Sequence, residues 1–281
     1  MADLRSSRFL APFCALAILL FASAIASRGQ SSAPVQAAAP PIQATAPATQ
    51  LFPPPVPDGS ASAAELEEQG DQLRAQKRYL DSIDYYNVAI KKQPTALLWN
   101  KKGMSYLLLQ HPEKAAKCFD HAIKLDKHAA EGYNNRGYVE QMEKRYDKAI
   151  KYYRKAIDLR PGDAVFYYNM GSSYFGKHDY PDAAAQYRAA FAIDPNIFDR
   201  VSRTGIMAQA TTPEDRAAFS FMVAKMYAQA GDLDHTLEYL RKAMENGYKH
   251  IDDVYTDREF ASLRTDKRFE ELMAQRPQPI P

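Results

Sequence analysis

Cysteine is nearly absent from this chain of 281 residues: there are two, Cys14 and Cys118, too few for a disulfide framework or a four-thiolate zinc site. Glycine is scarce too, at 12, which argues against a fold of tight hairpins and against glycine-lined phosphate loops. An excess of charge of one sign is also missing, since 36 Lys and Arg face 34 Asp and Glu, a formal charge of +2. That balance gives no electrostatic reason to expect nucleic acid or an anionic membrane surface as the main partner. The P-loop, dinucleotide-fingerprint, HExxH, CxxC, SxxK and GxSxG patterns do not occur. No catalytic set, cofactor site or metal site is therefore expected. What is present is an ordinary globular mix, 46% apolar and 25% charged, so the chain is not disordered throughout.

The first segment reads as an address. Arg5 and Arg8 precede an apolar run from Phe9 to Ile25 that ends in the small-x-small pattern Ala24-Ile25-Ala26. Residues 1–26 are expected to be a signal peptide cleaved before Ser27, with an uncleaved anchor as the alternative. A lipoprotein signal is excluded because Cys14 lies inside the run. The expected location is thus outside the cytoplasm, in a bacterial periplasm or cell envelope, or else anchored at the inner membrane. Residues 27–62 hold eight of the 18 prolines and only two formal charges, Arg28 and Asp58, and read as a disordered Pro/Ala-rich linker.

The main signal is a repeat. Gly70, Gly103, Gly137 and Gly171 stand 33, 34 and 34 residues apart. Twelve positions after each come Ser82, Ala115, Ala149 and Ala183, and sixteen after come Tyr86, Phe119, Tyr153 and Tyr187. Nineteen after comes alanine every time, at Ala89, Ala122, Ala156 and Ala190. Tyr146, Ala149, Ile150, Tyr153, Ala156 and Ile157 follow the i, i+3, i+4, i+7 spacing of an amphipathic helix, and a shorter helix carries the glycine. The glycine and alanine columns are expected where two helix backbones approach closely, with the aromatic column filling the space beside them. Ser62 with Glu65 is a capping box that starts the array. A hairpin of this kind cannot bury its apolar face alone, so the units must stack.

At these residues the chain resembles the tetratricopeptide-repeat family, over units 63–95, 96–129, 130–163 and 164–197. Arg136 and Glu140 depart from the pattern, where an apolar and an aromatic residue are usual, and are expected to loosen that seam. An irregular connection over 198–212 leads to a degenerate fifth hairpin over 213–248. A helical cap over 249–276 and a tail over 277–281 complete the chain. The resemblance implies an all-α fold, a right-handed solenoid of antiparallel helix hairpins.

It also implies a concave groove that grips extended peptides. Asn100 and Asn134 lie three residues before their glycines, and Asn135 and Asn169 two before. Asn135 and Asn169 resemble an asparagine ladder that holds a peptide backbone, since a primary amide offers both donor and acceptor without the desolvation cost of a charge. Lys101 occupies the same offset in the second unit, and Tyr138, Tyr168 and Phe175 are expected to line apolar pockets nearby. The alternative is that the asparagines brace neighbouring turns. The family's clamp for chaperone-tail carboxylates is not expected, because Glu67, Asp71, Met104 and Val165 stand where it uses Lys or Asn. His121 and His128 read as solvated surface, His235 as a residue outside every repeat column, and Cys118, Met104, Met142 and Met170 as packing residues. The functional expectation is an exported protein–protein interaction scaffold with a peptide or protein partner. The rival expectation is a structural spacer of the cell envelope without a peptide ligand.

Overall fold

The computed structural model describes residues 56–203 and 212–277. The expected signal peptide 1–26, most of the expected linker, residues 204–211 and the last four residues lie outside the described residues. Eight helices form the array in four hairpins: α1 Ala63–Ala75 with α2 Tyr79–Lys92, α3 Ala96–Leu108 with α4 Pro112–Leu125, α5 Ala130–Met142 with α6 Tyr146–Leu159, and α7 Ala164–Gly176 with α8 Tyr180–Ile193. Then follow α9 Ile197–Arg203, a fifth hairpin of α10 Pro213–Ala230 and α11 Leu233–Glu245, two 3₁₀ turns at Ile251–Tyr255 and Arg258–Leu263, and α12 Lys267–Gln275. The fold is all-α, and among the described residues no helix is long and apolar enough to cross a membrane.

Local chemistry sets the helix starts. Ser62 and Glu65 close the capping box on α1, Thr95 accepts from the Leu98 N–H to start α3, and Pro112 opens α4. The end of the expected linker is in fact ordered. Ala61 packs on the first core cluster, Lys92 Nζ donates to the Gly59 carbonyl at 2.7 Å, and Tyr85 Oη donates to the Val56 carbonyl at 3.4 Å. Inside each hairpin the turn uses a left-handed residue seven positions after the column glycine. These are Lys77, Gln110, Lys144 and His178, with φ between 58° and 62°. The fifth hairpin places Gly231 there, at φ 75°, the one unit in which the residue type matches the backbone's demand.

The glycine column has a different purpose from the expected backbone-to-backbone contact. A Cβ on Gly70, Gly103, Gly137 or Gly171 would lie 2.6, 2.5, 2.9 and 2.9 Å from the ring of Tyr86, Phe119, Tyr153 and Tyr187 respectively. Each glycine makes room for its own unit's aromatic, which is fully buried. The alanines at Ala89, Ala122, Ala156 and Ala190 are also fully buried, and Ala156 packs with Ala130 and with Phe166 of the following unit. Successive first helices α1, α3, α5 and α7 touch one another and form the inner layer, while α2, α4 and α6 each wedge between two of them.

The stacking rule changes after α8. The segment expected to be irregular begins with α9, whose Ile197, Phe198 and Val201 are buried. Phe198 lies 6.1 Å from the Tyr168 ring, 5.9 Å from Tyr187, 6.0 Å from Phe191 and 6.0 Å from Phe219. This aromatic hub joins the fourth hairpin to the fifth, a role that a seven-residue helix beside Pro195 does not advertise in sequence. The terminal 3₁₀ turns and α12 bury Val254, Phe260, Phe269 and Leu272 against the fifth hairpin. Arg264 ties the two turns together by donating to the Val254 and Asp257 carbonyls.

Candidate interaction surface

Three inner helices bring the expected amides together. Asn169 Nδ2 on α7 donates to Asn134 Oδ1 on α5 at 2.9 Å, Asn134 Nδ2 donates to Asn135 Oδ1 at 3.1 Å, and Asn135 Nδ2 donates to Asn100 Oδ1 on α3 at 2.9 Å. The amides therefore form a row with one direction, neither bracing turns nor all standing free. Asn134 and Asn169 are buried, at 8% and 7% exposure, and their mutual bond satisfies groups that burial would otherwise penalise. Asn100 and Asn135 are half-buried. An amide has two donor hydrogens and two acceptor lone pairs, so both retain hydrogen-bonding capacity that the row does not use. Tyr138 lies one helical turn beyond Asn135 on the same face, half-buried, with burial raising its phenol pKa.

The other expected groove residues are placed differently. Lys101 is held by Glu67 and Asp71 of α1, so its charge is neutralised within the array. Asp71 also accepts from the Tyr86 hydroxyl at 2.7 Å; burial works to raise its pKa, but the Lys101 and Tyr86 bonds outweigh that and hold it below the ordinary value. Tyr168 is 2% exposed, packed against Tyr187 and Phe198, so it is a core residue where the groove reading needed an exposed one. Phe175 is likewise core, edge-on to Tyr180 at 5.2 Å and to Phe219 at 6.1 Å. The reason in both cases is the turn to α9 and α10, whose side chains cover the end of α7. Met142, expected to pack, is 37% exposed.

The seam at Arg136 and Glu140 is not loose. Glu140 is 3% exposed and accepts from both Arg136 and Arg145, while Arg136 also donates to Asp120 of α4 at 3.0 Å and lies 5.2 Å above the Tyr152 ring. Burial would raise the Glu140 pKa, but the two guanidinium bonds hold it below its ordinary value. Cys118 is buried, and burial pushes its thiol up to about 11, far from a thiolate nucleophile. His121 is exposed and stacks on Trp99 at 4.3 Å. Among the described residues no group of three His, Cys, Asp or Glu could hold a metal ion. Sequence reasoning missed an open groove of about 670 Å³ between α8, α10 and the first 3₁₀ turn, with Ala184, Ala218 and Met222 in its wall and Arg188 and Lys225 at its rim. It exists because α10 meets α8 only at its edge; the register break after residue 197 marks the place, but spacing alone does not encode the offset that opens the groove.

The description of the tetratricopeptide repeat matches residues 96–129, 130–163 and 164–197, whose glycine–aromatic contacts have just been described. The chain is a tetratricopeptide-repeat protein. The repeat region is 28% identical over 102 residues to the Hsp70-Hsp90 organizing protein of Triticum aestivum, covering 36% of this chain and 18% of that protein. It is 28% identical over 106 residues to the small glutamine-rich tetratricopeptide repeat-containing protein 2 of Saccharomyces cerevisiae, covering 37% and 31%. The chain thus matches less than a third of the length of these relatives. Among solved structures, MamA from Desulfovibrio magneticus RS-1 aligns with a TM-score of 0.47 at 16% identity, over 68% of this chain and 97% of that one. The repeat assignment rests on the matched models and on the packing of the columns. The first hairpin shares that packing through Gly70 and Tyr86, so the tetratricopeptide array begins at α1.

Proposed function

We propose that this chain is a protein-interaction scaffold whose inner face holds an extended segment of a protein partner, and that it acts outside the cytoplasm after loss of residues 1–26. The observation that carries the reading is the placement of Asn100, Asn135 and Tyr138, polar groups with spare hydrogen-bonding capacity beside an aromatic, along the inner layer. A peptide backbone needs alternating donors and acceptors, and half-buried amides offer both at low desolvation cost. The buried pair Asn134 and Asn169 then acts as the support that fixes the half-buried pair. The chain's own C-terminal turns and α12 pack on the fifth hairpin, away from α3 and α5, which favours a binding role over a spacer whose groove is filled from within. Lys101, neutralised by Glu67 and Asp71, disfavours a partner recognised by a terminal carboxylate. Asn100→Ala with Asn135→Ala is expected to weaken partner capture about tenfold while the helices stay formed, at a stability cost of about 1–3 kcal/mol because the buried Asn134 amide loses its acceptor. Mass spectrometry of the protein from its native host tests export, and Ser27 as the first residue is the expected result.

A further inference from the structure

A second surface lies on the opposite side of the third hairpin and is independent of the inner-face reading. A cavity of about 490 Å³ opens between α5 and α6, lined by Tyr133, Arg136, Glu140, Tyr152 and the lysines Lys148, Lys151 and Lys155. The lining carries four cations against one carboxylate, a net +3, more than the +2 of the whole chain. That carboxylate, Glu140, is already shared by Arg136 and Arg145 beneath the surface. Arg136 is fixed as the floor by Asp120, Glu140 and the Tyr152 ring. The three lysines are exposed, and among the described residues they form no ion pair. Asp147, one turn before Lys151 and the natural partner for it, is taken by Lys177, just past the end of α7, at 2.6 Å. Like charges three and four residues apart on α6 oppose its helix, so the fold itself has no use for this arrangement.

We propose that this groove docks an acidic segment of a protein partner, with carboxylates meeting Lys148, Lys151 and Lys155 and apolar atoms resting on Tyr133 and Tyr152. Charge complementarity sets the sign of the occupant. The tyrosine walls and the near-neutral charge of the whole chain favour a protein segment over nucleic acid or an anionic lipid surface, whose footprints spread over a larger basic face. The test uses a fluorescein-labelled polyglutamate peptide, read by anisotropy with the full chain. Binding is expected to weaken about tenfold or more in Lys148→Ala/Lys151→Ala/Lys155→Ala and to fall with added salt. It should persist in the charge-preserving Lys→Arg triple and in Lys114→Ala/Lys117→Ala/Lys124→Ala on α4. Circular dichroism of each variant checks the helices, and the Lys→Arg triple keeps the result readable if the alanine triple unfolds. Equal binding by both alanine triples, or none by the wild type, overturns the site. Binding of single-stranded DNA or phosphatidylserine vesicles that vanishes in the α6 triple, with no peptide binding, overturns the choice of an acidic protein segment.

Discussion

Asn169 donates to Asn134 across two successive inner helices, and both amides are buried. Removing either leaves its partner desolvated and unpaired, which costs about 1–3 kcal/mol. Asn169→Ala is therefore expected to lower stability by that amount in urea titrations, whereas Asn100→Ala, at the half-buried end of the row, should cost under about 1 kcal/mol. Equal losses would show that the row is braced uniformly and that no part of it is set aside for a ligand.

The glycine column yields a sharper stability test. Alanine is the better helix former by about 1 kcal/mol, yet its Cβ on Gly103 would meet Phe119 at 2.5 Å. Gly103→Ala should destabilise by about 1–3 kcal/mol through overpacking, as should Ala156→Trp at a fully buried position. Thermal melts decide this, and a Gly103→Ala variant more stable than wild type would contradict the packing described.

Glu140 supplies a test of buried charge. Glu140→Ala leaves Arg136 without one of its carboxylates in a site only 14% exposed, an expected loss of about 3 kcal/mol. The double change Arg136→Leu/Glu140→Tyr restores the family's usual residues and should return most of that stability. The folded pKa of Glu140 lies below its ordinary 4.5, so its contribution is present above that pH and is lost as pH falls through the folded value. Melting temperatures recorded downward from about pH 5 should fall more steeply for the wild type than for the double variant.

His235 lies outside every repeat column and makes bonds of its own. It bonds Asp232 at 2.7 Å, lies 3.2 Å from Asp199 and stacks on Tyr227 at 4.6 Å. Burial alone would lower its pKa, but Asp232, Asp199 and Glu238 outweigh that and raise it above 6.5. A raised folded value means the stabilisation is complete below 6.5 and lost as pH rises through the folded pKa. The melting-temperature gap between wild type and His235→Gln should thus be larger near pH 5.5 than near pH 8.5. A gap independent of pH would remove the ion pairs from the account.

The legibility of the fold follows from what a period can carry. Gly103 and Phe119, or Gly137 and Tyr153, recur in register because each unit must solve the same packing problem, so the all-α repeat could be read from one chain. Phe198 and the offset of α10 occur once, and a contact made once leaves no column. For the surface, the amide positions were readable, but their mutual bonds depend on the distance between α3, α5 and α7, which no spacing encodes. Tyr168 shares the column of Asn100 and Asn134, and the rings of Tyr187 and of Phe198 on α9 hold it in the core, contacts that the column spacing does not encode. Arg136 and Glu140 looked like two separate departures; they are two halves of one ion cluster.

The central claim is that a partner lies along the inner face at Asn100, Asn135 and Tyr138. The most direct measurement replaces Tyr138 with a photoreactive benzoylphenylalanine and crosslinks in the native host, with the same replacement at exposed Lys124 as the outer-face control. The account predicts a discrete protein adduct from position 138 that is lost in Asn100→Ala/Asn135→Ala while the chain stays folded by circular dichroism. Adducts from position 124 alone, or an adduct at 138 unaffected by the double change, would contradict it.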